Sequence, residues 1–123
     1  MKDIVIRGSE GYAQEVAFLI ERINTVCPTW NLLGYIDVKD VGKIKYHYPV
    51  LGTDAWFEQH EGVCCALGIG YPKTRYKVVQ ELQKYHLSYP NLIDPTAIMA
   101  KDHVMGIGNI LTGPSRLSVT TRV

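Results

Sequence analysis

Residues 3–16 read DIVIRGSEGYAQEV, a short apolar run that ends at a glycine turn and leads into a mixed polar and apolar stretch. The run IVI at residues 4–6 has the composition of a buried strand in a parallel sheet. From Tyr12 onward, apolar residues recur at helical spacing as far as Ile23, and Cys27-Pro28 ends the pattern. The stretch therefore predicts a strand, a glycine turn and an amphipathic helix in direct succession.

The alternation of strand and helix continues along the chain. Residues 30–36 (WNLLGYI) and 62–69 (GVCCALGI) are apolar enough for a second and a third core strand, and the stretch from Lys73 to His86 has the spacing of a second helix. This order is typical of the α/β class. It predicts a small parallel sheet with helices on both faces.

The segment between the second and third strands is less regular. Residues 38–48 mix charge and glycine, which predicts an irregular crossover, and residues 49–52 form a short apolar piece. Asp54 is an acceptable N-cap for a brief helix that ends near His60.

After residue 90 an apolar residue recurs every six positions. Ile98, Val104 and Ile110 form the series, and Leu117 and Val123 continue it after a slip of one residue. This period is typical of a left-handed parallel β-helix, in which one coil takes eighteen residues. A chance coincidence in an ordinary C-terminal segment is the alternative. We therefore expect two regions, an α/β domain at 1–90 and the incomplete start of a β-helix at 91–123.

Composition and charge narrow the functional class. The 123 residues are 46% hydrophobic and 20% charged, and the formal net charge of +1 gives no case for nucleic acid or an anionic membrane as a partner. No signal-peptide core and no apolar stretch of about 18 residues occurs. The three cysteines have no metal-ligand spacing. We expect a cytoplasmic protein with free thiols and no bound metal.

The turn Gly8-Ser9-Glu10-Gly11 stands where a helix N-terminus can accept a phosphate. The dinucleotide pattern G-x-G-x-x-G requires glycine at two positions that are Glu10 and Ala13 here. The Glu10 carboxylate repels a diphosphate unless it points to solvent. A turn required only for packing is an equally good interpretation of the motif.

Two further features belong to the same edge of the predicted sheet. Asp37 ends the second strand, where a carboxylate can accept hydrogen bonds from ribose hydroxyls or simply cap the strand. The turn Gly68-Ile69-Gly70 ends the third strand. Ligands of open α/β sheets bind at the carboxyl edge, so the two glycine turns and Asp37 are expected to face one crevice.

Five stretches in order resemble a known family: DIVIRGSEGYAQEV (3–16), WNLLGYID (30–37), YPVLG (48–52), ALGIGYPKTR (66–75) and PNLIDPTAIM (90–99). The family is that of the bacterial sugar O- and N-acetyltransferases of the left-handed β-helix class. It includes sialic-acid O-acetyltransferases and nucleotide-linked amino-sugar N-acetyltransferases. The resemblance covers nearly the whole chain.

The resemblance implies a Rossmann-like domain that holds a UDP-sugar, followed by a β-helix that forms a trimer and binds acetyl-CoA. It places the phosphates and sugar at Gly8, Ser9, Gly11 and Tyr12, the nucleoside at Asp37, and the crevice wall at Gly68, Ile69 and Gly70. Family members usually have glycine in place of Glu10 and Ala13, so this chain departs from the pattern there.

The family's catalytic histidine lies further along the β-helix than residue 123, and none of the four histidines matches its setting. We expect this chain alone to lack the catalytic base and to be a monomer or a weak oligomer. The residues are also compatible with two other functions: an NAD(P)-type dinucleotide-binding module and a non-catalytic assembly domain.

Overall fold

The computed structural model describes residues 1–96 and 110–111. Within these residues the main sheet has five strands: β1 (Lys2–Arg7), β2 (Trp30–Ile36), β3 (Ile44–Lys45), β4 (Tyr48–Gly52) and β5 (Cys64–Leu67). The α-helices are α1 (Gly11–Val26) and α2 (Pro72–Leu82), and 3₁₀ helices cover Asp54–Gln59 and Gln83–Tyr85. Every helix in the described part of the chain is too short or too polar to span a membrane.

The sheet order is β3-β4-β2-β1-β5, so β1 lies between β2 and β5. The strands β4, β2, β1 and β5 are parallel, and Ile4 pairs with Leu32 on one side and Cys64 on the other. Parallel strands bring their carboxyl ends to one edge. The ends of β1, β2 and β5, with the turns that follow them, therefore lie side by side, and the predicted α/β class is confirmed.

Helices cover both faces of the sheet, as the sequence predicts. Side chains alternate along β1, so Ile4 and Ile6 join a core with α1, whereas Val5 joins a core with α2 and the 3₁₀ helices. All three residues are completely buried. Burial on both faces explains why this strand is a continuous apolar run rather than an alternating one.

Three local predictions were wrong. The segment 38–48, expected as an irregular crossover, contains β3, which pairs antiparallel with β4. Asp54 does not cap the short helix: Thr53 is the N-cap residue, and the Asp54 carboxylate instead accepts hydrogen bonds from Arg7. The second α-helix ends at Leu82 rather than His86, because the chain tightens to 3₁₀ geometry and His86 is left-handed with φ of 53°.

The described segment that directly follows the α/β sheet, residues 92–96, is fixed to α1. Leu92 in β6 (Leu92–Ile93) is fully buried in the same core as α1. The buried Asp94 carboxylate accepts hydrogen bonds from Arg22, with 3.1 Å between Nη2 and Oδ1, and from the Thr96 hydroxyl at 2.6 Å. This ion pair joins the C-terminal half of α1 to the segment that follows the sheet.

β6 pairs in parallel with β7 (Ile110–Leu111), and the paired residues Leu92 and Ile110 are eighteen positions apart. That interval equals one coil of the predicted β-helix. Leu92 also lies six positions before Ile98, so the six-residue series begins earlier than expected. Ile98, Val104, Leu117 and Val123 lie outside the described residues.

Candidate functional site

A cleft of about 680 Å³ opens at the carboxyl ends of β1, β2 and β5. All eight residues that the resemblance implies for the site line this cleft: Gly8, Ser9, Gly11, Tyr12, Asp37, Gly68, Ile69 and Gly70. The lining also contains residues that the sequence did not indicate: Arg7, Val38, Lys39, Tyr71, Thr74 and Val78. Parallel topology brings the two glycine turns and Asp37 together, as the crevice argument predicts.

The first glycine turn is held tightly between two strands. The Gly8 N–H donates to the Ile36 carbonyl at 2.8 Å, and the Gly68 N–H donates to the Arg7 carbonyl at 2.9 Å. Gly8 has a φ of 115°, and a Cβ there would lie 2.7 Å from the Gly68 carbonyl oxygen. Gly8 is therefore required by the fold itself, whatever the cleft binds. A Cβ on Gly68 would lie 2.6 Å from Ile6 Cγ2, so the fold also favours glycine at that position.

Gly11, at the start of α1, has a different environment. Apart from its chain neighbours and the backbone of its own helical turn, a Cβ built on Gly11 would meet no atom of the described residues within 4 Å. Packing within the described part of the chain therefore does not require glycine here. The missing side chain leaves open space beside the first turn of the helix, which is the position where backbone N–H groups can bind an anion.

Glu10 is the N-cap residue of α1, but its side chain makes no capping hydrogen bond. The carboxylate instead forms an ion pair with Lys39, and both side chains are more than half exposed. The Glu10 charge is thus balanced by a neighbour on the turn after β2. This arrangement keeps the carboxylate from occupying the N-terminus of the helix.

Asp37 is almost completely buried, with 7% of its surface exposed. Its Oδ2 accepts a hydrogen bond from the Ser9 hydroxyl at 2.6 Å, and its Oδ1 accepts one from the Val38 N–H at 2.7 Å. Arg7 Nη1 lies 3.9 Å from Oδ1. Each carboxylate oxygen can accept a further hydrogen bond, so Asp37 can serve both the fold and a ligand.

Arg7 lies between Asp37 and a second carboxylate, that of Asp54, which the sequence predicts as a helix N-cap. Its Nε donates to Asp54 Oδ1 at 2.7 Å, and Arg7 is itself buried. The guanidinium is therefore oriented by Asp54 on one side and faces Asp37 on the other. Residues 7 and 54 are too far apart in sequence for any local pattern to indicate their contact.

The opposite wall of the cleft is mainly apolar and aromatic. Ile69, Tyr71 and Val78 contribute apolar surface, and Tyr71 is 79% exposed. Burial raises the pKa of Tyr12, which keeps its phenol protonated and able to donate a hydrogen bond at neutral pH. The cleft thus combines a polar turn with apolar and aromatic side chains, which suits a ligand with a charged part and a ring.

The histidines in the described residues lie away from this cleft. The His47 ring lies beside Tyr46, the His60 ring stacks on Trp56 with 3.6 Å between centroids, and His86 ends the second 3₁₀ helix. His103 lies outside the described residues. Over residues 1–96 and 110–111, no three His, Cys, Asp or Glu side chains are grouped so that they could hold a metal ion.

Comparison with known sequences identifies the family. Residues 3–82 match the family described as the PglD N-terminal domain. The chain belongs to this family. The match contains both glycine turns, Asp37 and the whole of α2, and it confirms the resemblance to the N-terminal part of sugar acetyltransferases. No curated protein matches the sequence significantly.

Solved structures with the same fold include two acetyltransferases. The acetyltransferase domain of PglB from Neisseria gonorrhoeae FA1090, in complex with acetyl coenzyme A, is 18% identical with a TM-score of 0.79. The match covers 94% of this family member and 55% of the PglB chain. PerB from Caulobacter crescentus, in complex with CoA and GDP-perosamine, is 21% identical with a TM-score of 0.76, over 96% and 55% of the two chains. The chain thus spans about half the length of these proteins.

Proposed function

We propose that this chain binds a nucleotide-sugar in the cleft at the carboxyl edge of its sheet, as the substrate-binding portion of an acetyl-CoA-dependent sugar acetyltransferase. The observation that carries the proposal is that the two glycine turns and Asp37, which the resemblance implies for the site, line one cleft. The family match and the GDP-perosamine in PerB support the ligand class.

The parts of the cleft suit the parts of such a ligand. The open space at Gly11 and the uncapped start of α1 can take the diphosphate. Asp37 at the end of β2 is positioned for a nucleoside hydroxyl, held in place by Ser9 and the Val38 N–H. The Ile69 and Tyr71 wall offers a surface on which a flat ring can pack.

The resemblance favours a uridine nucleotide, whereas PerB is described with a guanosine one. We infer that acetyl transfer by the whole protein uses acetyl-CoA bound outside this chain and, as in the family, a trimeric β-helix. The eighteen-residue interval between β6 and β7 supports a coil of that helix directly after the sheet. A cytoplasmic location fits the sugar-nucleotide substrate.

Isothermal titration calorimetry with UDP, GDP, UDP-N-acetylglucosamine and NADH tests the proposal. We expect saturable heat with at least one of the uridine or guanosine diphosphates and none with NADH. Saturable binding of NADH alone would favour the dinucleotide module. No heat with any of the four ligands at millimolar concentration would favour an assembly role and end the proposal.

The Gly11→Leu variant tests where the ligand binds. The leucine side chain would fill the open space beside the first turn of α1 without meeting the rest of the described chain at its Cβ. The variant should keep the melting temperature of the parent and lose the binding heat. If the variant binds as tightly as the parent, the ligand does not bind in this cleft.

A further inference from the structure

Two charged side chains bridge the turns that frame the proposed phosphate position. Glu10 precedes α1, and Lys39 lies two residues after Asp37 on the turn that follows β2. Lys39 Nζ and Glu10 Oε1 form an ion pair, and both residues line the cleft. Because each side chain is more than half exposed, this pair lies at the solvent rim of the cleft rather than in its floor.

The charged groups that line the cleft cancel one another. Its cationic side chains are Arg7 and Lys39, and its carboxylates are Glu10 and Asp37. Arg7 is buried and fixed by Asp54, so it cannot turn toward a ligand at the rim. Lys39 has a flexible stem and an exposed ammonium group. It is therefore the cation of the lining that can change partner.

We propose that Lys39 binds the diphosphate directly: its ammonium leaves Glu10 for a phosphate oxygen. Glu10 then makes the cleft selective for ligands that carry enough negative charge to drive this exchange. The inference rests on the proposed function and names the group that holds the phosphates. A neutral ligand gains nothing from displacing Glu10. A diphosphate gains an ammonium partner that stands at the helix N-terminus, where the backbone already favours an anion.

The surroundings of Lys39 keep its charge in place during this exchange. The hydrogen bond to Glu10, followed by the charges of Glu10, Asp37 and Asp40, raises the pKa of Lys39 above its ordinary value. The ammonium is therefore fully protonated at neutral pH. Asp37 and Asp40 remain on the same turn when Glu10 is released, so the position of Lys39 still favours a charged side chain.

Lys43 provides a matched control for Lys39. It lies on the same connection between β2 and β3, is exposed, and pairs with Asp40 at 3.4 Å. It does not belong to the cleft lining. Lys39→Gln and Lys43→Gln therefore remove the same charge from the same surface region, and only the first removes a proposed phosphate contact.

The test measures calorimetric affinities of the 123-residue chain for UDP and GDP, and for uridine and guanosine. Lys39→Gln should weaken binding of the preferred diphosphate about fivefold or more and leave the nucleoside affinity unchanged. Glu10→Gln should strengthen diphosphate binding, because no ion pair has to be broken. Lys43→Gln should stay within about twofold of the parent, and added salt should reduce every difference.

Equal diphosphate affinities of the Lys39→Gln and Lys43→Gln variants would overturn the inference, as would an equal loss of nucleoside and diphosphate affinity. The comparison of the two lysine variants tests the inference even if nucleoside binding is too weak to measure. If the parent chain binds neither UDP nor GDP, both the proposed function and the inference are wrong. If the parent binds and Lys39→Gln binds equally tightly, only the inference is wrong.

Discussion

Gly68 and Ala13 pack so closely that a Cβ on Gly68 would lie 2.7 Å from the Ala13 Cβ. This contact joins the end of β5 to the first turn of α1 and fixes the floor of the cleft. In the dinucleotide pattern a glycine on the helix permits this approach. Here the helix residue is Ala13, which has a methyl group, and the residue after β5 is Gly68, which has no side chain. The close approach is therefore kept, with the glycine on the strand side instead of the helix side.

Gly68→Ala should destabilise the fold. The new methyl group would also lie 2.6 Å from Ile6 Cγ2, and overpacking of this kind typically costs about 1 to 3 kcal/mol. Urea denaturation measures the loss. Gly70→Ala is the control, because a Cβ there meets Tyr12 at an ordinary 3.8 Å. Equal stability of the two variants would show that α1 can shift away from β5 at little cost.

Gly11→Ala should separate binding from stability. Its Cβ meets nothing in the described chain, so the free energy of unfolding should stay the same or rise slightly through better helix propensity. Diphosphate affinity should fall about tenfold, or about 1.4 kcal/mol, by calorimetry, if the phosphates approach the first turn. Gly52→Ala on β4, outside the cleft, should leave affinity unchanged. Retained affinity in the Gly11 variant would place the phosphates elsewhere.

Asp37→Ala should weaken both nucleotide binding and the fold. The carboxylate is buried, accepts the Ser9 hydroxyl, and stands near Arg7; its removal leaves buried donors unsatisfied and should cost about 3 kcal/mol of stability. Asp37→Asn keeps the shape and should cost less. Denaturation and calorimetry on both variants separate the two effects. An Asp37→Ala variant as stable as the parent would mean that water replaces the carboxylate.

The Arg22–Asp94 ion pair should make stability depend on pH. The Arg22 hydrogen bond, followed by those from Thr96, lowers the pKa of Asp94 below its ordinary value near 4. A carboxyl with a depressed folded pKa contributes stability above its unfolded pKa and loses this contribution as the pH falls. The gap in urea midpoint between the parent and Asp94→Asn should therefore be largest near pH 7 and shrink below pH 4. A gap that is constant between pH 3 and 7 would contradict this.

Cys27 and Cys65 should differ in thiol reactivity. Burial raises the pKa of Cys65 to about 12, so its thiolate is negligible at pH 8, whereas Cys27 is exposed. Ellman's reagent should titrate Cys27 at once and Cys65 only after denaturation. Cys27→Ser should remove the fast phase. A fast phase that persists in this variant would have to come from the half-buried Cys64 or from opening of β5.

The sequence predicts those parts of the fold that depend on local patterns. β1, β2 and α1 follow from apolar runs and helical spacing, and the topology of parallel strands then brings Asp37 to the glycine turns. β3 is missed because its two residues acquire their hydrogen bonds only from β4. The Arg7–Asp54 pair joins residues 47 positions apart, and no pattern in the sequence between them indicates that contact.

The length of α1 fixes the distance between the cleft and Asp94. The cleft stands at its first turn, and Arg22, eleven residues later, holds Asp94. With a rise of 1.5 Å per residue, these two points are separated by about 16 Å along the axis. An insertion or deletion of one helical turn would change this spacing by about 5 Å. The length of one secondary-structure element thus sets how far the proposed phosphate position lies from Asp94.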